Sequence, residues 1–479
     1  MRVQETAVLD PGLAWLLIGI FTLIYVGFGI WFGRRDKELD QFVLAGRKVG
    51  LAVGTATAMA TWVTSNTTMM APQLAYQIGI WGMIGYAFGS VGLLLFAPLA
   101  KRIRTLMPYG YTSGDFVRLR YGNLGWRVFL AISVFYSFGW LVSLGMAGGV
   151  LIHALSGIPY WQGMTVILAA CVSYTLIGGF RAVIGTDFIQ SILILIGLVV
   201  LAWLVIGGVG FDEIHVSLEL ERPELLNLLM PAAIMFLFNN LLFGMGEIFH
   251  SNVWWTRAYS FREGVGMWAY LLAGIFWLPI PIVAGFVALA APSLGVNIPA
   301  ADMVGPIVAS ELLGLTGAII VLVMVFAALA SSLDSLLAAT AMLVVRDIYH
   351  RHFRPQSSAQ HLRTATKVTI LLLGVITWLL CLPRITTLAE LLHFTGAFVA
   401  STIWPIAAGL YWRRTNRLGA TAAMALGSAA GITAYFQIGF YVAALVGAAV
   451  SMVIVLVTTW LRPQDFDWEH LREPPPDDH

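Results

Sequence analysis

The stretch Ala60-Thr-Trp-Val-Thr-Ser-Asn-Thr-Thr68 decides the fold, because five hydroxyl side chains and one amide interrupt an otherwise apolar run. The run covers residues 48–77 and can cross a bilayer, whose hydrocarbon core needs about 20 apolar residues. Backbone polar groups in lipid must be satisfied within the protein, so a polar stretch at this depth faces protein or a water-filled cavity. We therefore predict a helix that is broken near the middle of the membrane.

A second polar interruption is Phe238-Asn-Asn-Leu-Leu-Phe-Gly-Met-Gly-Glu-Ile-Phe-His-Ser-Asn252, which includes Glu247 and His250. The two interrupted runs begin two successive groups of five apolar runs, residues 48–209 and 228–412. Broken helices at matching places in two halves are typical of inverted-repeat transporters with a site at the midplane. Ordinary helix packing through small and hydroxyl residues is the alternative interpretation.

Hydrophobic residues make up 59% of the 479 residues and charged residues 11%, which excludes a water-soluble globule. The formal net charge of +2 provides no basic excess, so we expect a lipid bilayer as partner and no nucleic acid. Thirteen runs are long enough to span it, at about residues 12–33, 48–77, 80–100, 125–156, 160–178, 182–209, 228–255, 263–291, 315–346, 366–383, 386–412, 418–437 and 439–461.

The order of these runs predicts five regions. An extra N-terminal helix with the first inner loop (1–47) precedes the two five-helix groups, 48–209 and 228–412. Two additional C-terminal helices (413–461) and a polar, disordered cytoplasmic tail (462–479) follow. The loops are too short for an extramembrane enzyme, so we expect the function to lie among the helices.

The positive charges collect in alternate loops and predict the orientation. With the N-terminus outside, the inner side receives nearly all Lys and Arg, including the cluster at residues 34–37 and Arg257. Arg2, Arg222 and Arg384 are the exceptions. We therefore expect a multi-pass protein of the plasma (cell inner) membrane with a cytoplasmic C-terminus, and the compact loops are typical of a prokaryote.

The ninth run contains Ala327-Ala-Leu-Ala-Ser-Ser-Leu-Asp-Ser335. On a helix, Ala328, Ser331, Ser332 and Ser335 share one face. Hydroxyls that face carbonyls freed by a broken helix supply oxygen ligands for a hard cation, and sodium fits this set better than a transition metal. Serines that merely bond their own helix backbone are the alternative.

Four further titratable residues lie near membrane depth. Asp187 and Asp334 are functional candidates because an unpaired buried acid is costly, although Asp187 is close enough to the inner face for a solvated role. Glu247 and His250 are expected to form a buried polar pair, bind an amine, or relay a proton. The sequence leaves these three roles open.

At this point the chain resembles the sodium:solute symporter family along nearly its whole length. The matching motifs are Ala45-Gly-Arg-Lys-Val-Gly50, Thr175-Leu-Ile-Gly-Gly-Phe-Arg-Ala182, Thr186-Asp-Phe-Ile-Gln190, Ala330-Ser-Ser-Leu-Asp-Ser335 and Arg346-Asp-Ile-Tyr349. The resemblance implies an all-α membrane protein with the LeuT-type inverted repeat of five plus five helices. It also implies that the first and sixth core helices are broken, with one extra helix in front and two or more behind.

The resemblance also implies the ion sites. The principal sodium site would consist of the carbonyls of Ala60, Val63 and Ala328 and the hydroxyls of Ser331 and Ser332. Some members bind a further cation, through residues that correspond to Asp187, Ser331 and Ser335. Asp334 stands where some members have another serine, so it either tightens a second cation site or has another role.

The solute is less well defined by the resemblance. The family's pocket positions correspond to Trp62, Thr67, Trp140, His250, Ser251 and Trp254, and Glu247 would supply an acid among them. Several tryptophans are similar to those of choline-type members, which hold a cation against aromatic faces. The stretches 118–122 and 254–260 are closer to urea-type members, and Trp is also a common interfacial anchor.

The sequence therefore predicts a secondary active transporter and not an enzyme. We expect a sodium-coupled symporter that imports a small polar organic solute, choline- or amine-like or urea- or amino-acid-like, by alternating access. The sodium ion is the coupling ion, and no other cofactor is expected. The alternatives are a proton-coupled transporter of the same fold and a transporter-like sensor. The sequence leaves open whether the chain forms a homo-oligomer.

Overall fold

A computed structural model of the chain describes residues 8–33 and 44–472. The inner charges at residues 34–37, Arg2 and the last seven residues of the predicted tail lie outside this part. Within it the chain is helical almost throughout, with an isolated bridge between Val49 and Phe261. The predicted all-α membrane class is confirmed.

The α-helices, numbered along the described ranges, have the following bounds. They are α1 (Pro11–Gly33), α2 (Leu51–Trp62), α3 (Ser65–Ile78), α4 (Ile80–Ala87), α5 (Ser90–Leu106), α6 (Ser113–Ser156), α7 (Tyr160–Gly208), α8 (Phe211–Glu221), α9 (Pro231–His250), α10 (Asn252–Ser260), α11 (Val265–Trp277), α12 (Pro279–Leu289), α13 (Val304–Leu343), α14 (Ala359–Cys381), α15 (Leu388–Val399), α16 (Ile403–Tyr411), α17 (Arg417–Gln437) and α18 (Ala443–Leu461). A π-helix, Val344–Phe353, continues α13.

Twelve segments of the described chain are long and apolar enough to cross a membrane. The second predicted span is absent from these twelve because it is broken into α2 and α3, of 12 and 14 residues. Neither half reaches the length of about 20 residues that a single crossing needs. The twelve segments and this broken pair together account for the thirteen predicted spans.

The long helix α7 contains two of these crossings, Tyr160–Gly178 and Ala182–Gly208. The hydroxyl of Tyr174 bonds the Ala330 carbonyl at 2.8 Å, and Asp187 accepts a hydrogen bond from Ser331 at 2.7 Å. Tyr174 and Asp187 thus contact adjacent residues of α13, although they are 13 residues apart in α7. Both halves of α7 therefore pack on α13.

Glycines with positive φ divide two other long helices. Gly122 in α6 has φ 77°, and Gly314 in α13 has φ 58°, values that glycine adopts without steric cost. The apolar runs predicted to start at residues 125 and 315 begin just after these bends. In both helices the part after the bend is the apolar, membrane-crossing part, and the part before the bend is a separate N-terminal segment.

Both helix breaks lie against α13. Ser332 of α13 donates to the Thr61 carbonyl at the end of α2, at 3.2 Å. Asn252, at the start of α10, donates to the Ala339 carbonyl of α13 at 2.8 Å. The two interrupted stretches that were recognised in the sequence therefore converge on the serine-bearing helix.

The structure corrects one regional prediction. The tail was expected to be disordered from residue 462, but Phe466 and Leu471 are buried. The Arg120 guanidinium lies 4.5 Å from the Phe466 ring centre, and Arg413 donates to the Phe466 carbonyl at 3.2 Å. The few apolar residues of this polar segment are enough to hold it against the helix ends.

Candidate ion and solute site

Two threonines hold the break between α2 and α3 in a reciprocal arrangement. The N–H of Thr64 donates to Oγ1 of Thr67 at 3.2 Å, and the N–H of Thr67 donates to Oγ1 of Thr64 at 3.0 Å. In a continuous helix these two N–H groups would bond the carbonyls of Ala60 and Val63, four residues earlier. This capping box therefore releases the same two carbonyls that the resemblance assigns to sodium.

The serines of α13 are fully buried beside the break. Ser332 donates to the carbonyl of Ala328 at 2.9 Å and to that of Thr61 at 3.2 Å, and Ser331 donates to Oδ1 of Asp187 at 2.7 Å. The alternative interpretation, in which the serines bond the backbone of their own helix, is therefore correct for the contact of Ser332 with Ala328. It does not account for the contacts of Ser331 and Ser332 with α7 and α2.

The oxygens gathered here suit a hard monovalent cation. A hydroxyl has one proton and two lone pairs, and the protons of Ser331 and Ser332 are already donated to protein oxygens. Their lone pairs can accept a cation together with backbone carbonyls, which is how unwound helices of inverted-repeat transporters hold sodium. The residues of the predicted principal site therefore fit sodium, whose binding there stays a prediction.

Asp187 is fully buried and does not have the solvated position that was the alternative for it. Its Oδ2 accepts from the hydroxyl of Thr57 and from Nη2 of Arg257, the latter at 3.1 Å. Arg257 is also fully buried, and its Nη2 donates to Oγ of Ser335 at 2.7 Å. Asp187 and Ser335 of the predicted second cation site are thus joined by an arginine.

Asp334 points to a different cluster from Asp187. The Tyr174 hydroxyl bonds Oδ2 of Asp334 at 3.0 Å and the Ala330 carbonyl at 2.8 Å. The ring of Tyr174 stacks on Tyr25 of α1, with ring centres 5.7 Å apart. Asp334 therefore binds α7 through Tyr174, and the Tyr174 ring in turn packs on the extra N-terminal helix.

A narrow, partly open cavity of about 20 Å³ lies directly beside the α2–α3 break. Aromatic rings form much of its wall, and one carboxylate faces it. Its lining is Trp62, Thr64, Tyr86, Gly89, Trp140, Asn240, Phe243, Gly244, Glu247, Trp277 and Leu392. This volume holds about one water molecule, so a solute enters only if the lining side chains move apart.

Glu247 is the acidic residue of the cavity and is 3% exposed. Its carboxylate lies beside the Trp254 indole and the Tyr136 hydroxyl. Among the described residues, Oε1 of Glu247 has no hydrogen-bond partner. A buried carboxylate oxygen without a partner is costly, which points to a ligand as the group that satisfies it.

The remaining predicted pocket residues lie outside the lining. Thr67 belongs to the capping box, Ser251 occupies the second helix break, and Trp254 packs edge-on against Trp62 with ring centres 5.3 Å apart. His250 bonds the Gly246 carbonyl at 2.8 Å through Nδ1 instead of pairing with Glu247. Of these four residues, Thr67 and Trp254 contact side chains of the lining, Thr64 and Trp62.

The glycines of the second interrupted stretch allow α9 to approach its neighbours closely. A Cβ on Gly244 would lie 2.8 Å from the Gly89 Cα, and one on Gly246 would lie 2.7 Å from the Ala400 Cα. The alternative interpretation of this stretch was helix packing through small residues. Such packing does occur, in the same helix that carries Glu247.

The sequence pattern of the Sodium:solute symporter family matches residues 42–427. The chain belongs to this family. The matched range contains both helix breaks, the serines of α13 and all of the cavity lining. The symporter is consequently a secondary active transporter and not an enzyme, and its coupling ion is sodium or a proton, as in its relatives.

Individual proteins show how far the likeness extends. The symporter is 26% identical to the urea-proton symporter DUR3 of Oryza sativa subsp. japonica, over 95% of this chain and 71% of the relative. It is 27% identical to the osmoregulated proline transporter OpuE of Bacillus subtilis (strain 168), over 91% and 94%. The substrate-bound outward-open Na⁺-coupled sialic acid symporter matches with a TM-score of 0.78 at 17% identity, over 95% and 99%. This last likeness confirms the predicted LeuT-type fold.

Sequence reasoning missed several residues of the symporter's site. Arg257 was counted with the inner-loop charges, although it is buried against Asp187. Tyr86, Asn240 and Trp277 line the cavity, and only Asn240 lay in a stretch that the sequence singled out. Its sequence position could have indicated that Arg257 is buried, because it lies only a few residues beyond the second polar interruption.

Proposed function

We propose that this symporter couples inward sodium movement to the uptake of a small nitrogenous solute across the plasma membrane. The observation that carries the proposal is the capping box, which releases the Ala60 and Val63 carbonyls in the turn whose Thr61 carbonyl accepts from Ser332. The family's name and the Na⁺-coupled structural neighbour support sodium as the ion.

Trp62 offers a physical route for coupling between ion and solute. Its ring lines the cavity, while its backbone lies between the carbonyls of Ala60 and Val63. The Trp62 carbonyl accepts from the Trp277 indole at 2.7 Å, which ties a second cavity ring to the same turn. A cation that binds here orders the turn, so that less conformational entropy is lost when the solute binds afterwards. By thermodynamic linkage, a bound solute strengthens cation binding in the same way.

Urea or a similarly small amide is the solute that the chemistry of the lining side chains supports best. The two N–H groups of such a molecule can donate to the carboxylate of Glu247, and its flat face can pack on the rings of Trp62 and Trp140. The urea-proton symporter of rice is similar along most of this chain, which supports the same choice.

A small organic cation is the second candidate, and the aromatic lining favours it. Trp62, Tyr86, Trp140 and Trp277 surround the cavity that Glu247 faces. Aromatic faces attract a cation by about 0.5–2 kcal/mol each, and the carboxylate would pair with its charge. A high-affinity choline transporter of Drosophila melanogaster is 29% identical over 76% of this chain and 61% of its own length.

Uptake by purified protein in liposomes tests the proposal. We expect accumulation of urea or choline that requires an inward sodium gradient and falls at least ten-fold in Ser332→Ala, because Ser332 supplies a sodium ligand. Ser428→Ala is the matched control, since the buried Ser428 bonds Ser401 and the Phe398 carbonyl, residues that neither line the cavity nor belong to the proposed sodium site. Uptake that ignores sodium and rises as the external pH falls would instead indicate proton coupling.

The capping box provides a separate prediction. In Thr67→Val the N–H of Thr64 loses its acceptor and can return to the carbonyl of Ala60. A helix cap contributes about 1 kcal/mol, and without it the Ala60 carbonyl is less available to sodium by about this free energy. We therefore expect the half-saturating sodium concentration to rise about five-fold. Sodium-dependent uptake measures this, with Thr433→Val as control, since Thr433 is exposed and its hydroxyl bonds the Ala429 carbonyl of its own helix. An unchanged sodium requirement would remove Thr67 from the ion site.

The proposed orientation places the N-terminus outside and the C-terminus in the cytoplasm. It is supported by the loop charges and is tested by thiol labelling in intact cells. The native Cys171 and Cys381 are buried, so they give a low background. We expect an impermeant thiol reagent to label Glu213→Cys from outside and Gln356→Cys only after permeabilisation. The opposite pattern would invert the topology.

A further inference from the structure

Arg257 is a fully buried arginine in α10, just after the second helix break. Arginine is almost never fully buried unless it is paired. Its side chain crosses to α2, to the second half of α7 and to α13, and the Phe180 ring lies 5.3 Å from the guanidinium carbon. The position lies next to the proposed sodium site but forms no part of it.

Each nitrogen of the guanidinium donates to at least one oxygen. Nη2 donates to Oγ of Ser335 at 2.7 Å, to Oδ2 of Asp187 at 3.1 Å and to the hydroxyl of Thr61. Nε donates to the hydroxyl of Thr57 at 3.2 Å. Nη1 donates to the Val253 carbonyl of its own helix, also at 3.2 Å. Nη2 thus has the all-oxygen surroundings that a bound metal cation would need.

These partners overlap the predicted second cation site. Of its members Asp187, Ser331 and Ser335, the first and last bond Arg257 directly, and Ser331 bonds the other oxygen of Asp187. Asp334, which the sequence also placed here, is held by Tyr174. The Asp187 charge is therefore already balanced, and a second positive ion at this spacing would repel the guanidinium.

We propose that Arg257 is a tethered cation that occupies the second cation site. The guanidinium takes the place of an ion between Asp187 and Ser335, so the symporter binds one sodium, at the Ser331 and Ser332 face. The inference rests on the proposed sodium coupling for the first ion only. Removing the guanidinium while keeping Asp187 creates a second sodium site.

Equilibrium binding of ²²Na⁺ to the purified full-length protein tests this without knowledge of the solute. We expect one bound sodium in the wild type, one in Arg257→Lys, which keeps a tethered charge, and two in Arg257→Met. The double variant Arg257→Met/Asp187→Asn removes the anionic ligand as well, and we expect it to return to one.

The outcomes separate this inference from the proposed function. If the principal site does not bind sodium, the wild type binds none, yet Arg257→Met still gains one ion. If Arg257 does not occupy a cation site, Arg257→Met binds the same number as the wild type, or the wild type itself binds two. Should Arg257→Met not fold, Arg257→Gln keeps donors toward Ser335 and gives the same comparison.

Discussion

Replacement of Glu247 by glutamine raises the KM for solute uptake about 30-fold if the solute is an amide such as urea. The variant keeps the shape of the side chain but loses the charge, and a hydrogen bond to a charged group contributes about 2 kcal/mol. If the solute is a cation, the loss exceeds 100-fold, because a buried charge then lacks its partner. Concentration-dependent uptake in liposomes therefore identifies the solute class as well as the residue.

A stability measurement separates this effect from damage to the fold. Since Oε1 of Glu247 has no partner among the described residues, Glu247→Gln breaks no hydrogen bond of that oxygen, and we expect an unchanged or higher Tm. Glu213→Gln, on the exposed helix α8, is the matched control for both measurements. A KM equal to that of the control would show that the solute does not meet Glu247.

Replacement of Asp187 by alanine has the largest expected effect on stability. It leaves the Arg257 guanidinium without its carboxylate in a fully buried position, which costs about 3–5 kcal/mol. It also removes the acceptor of the Ser331 hydroxyl, so we expect sodium-dependent uptake to disappear. Thermal unfolding of the detergent-purified protein in potassium buffer measures the first effect.

The double variant Asp187→Asn/Arg257→Gln is the informative comparison. It removes both charges and leaves two amides that can bond each other and the nearby hydroxyls, so most of the lost stability should return. The reference is the single variant Asp187→Asn, which keeps the side-chain volume but leaves the guanidinium unpaired. A Tm of the double variant above that of this reference shows that the unpaired charge is destabilising. Equal melting of the two variants would show that Asp187 and Arg257 are not energetically coupled.

The break near Ala60 could be predicted because its signal is local. Five hydroxyl residues and an amide follow one another within an apolar run, and no distant contact is needed to see that lipid disfavours them. The structure places the non-helical residues at Val63 and Thr64, inside the quoted stretch. The same reasoning located the second break, at Ser251.

The cavity was only partly predictable. Trp62, Trp140 and Glu247 line it as expected, whereas His250 and Trp254 are not among its lining residues. Successive helical residues point about 100° apart, so a residue at the right depth faces the cavity only if the packing of its helix allows it. Side-chain direction is therefore decided by neighbours that the sequence does not identify.

The sequence by itself determined the membrane class, the number of crossings, the two breaks and the family, because composition and local order encode them. Tertiary structure decided which charges and oxygens meet. Arg257 reaches Asp187 across 70 residues, and Ser331 reaches it across 144. From hydropathy alone, an arginine near a helix end is expected to lie in water. Here the carboxylate of Asp187, from another helix, pairs with Arg257 and allows it to stay buried. That pairing exists only once the helices have packed.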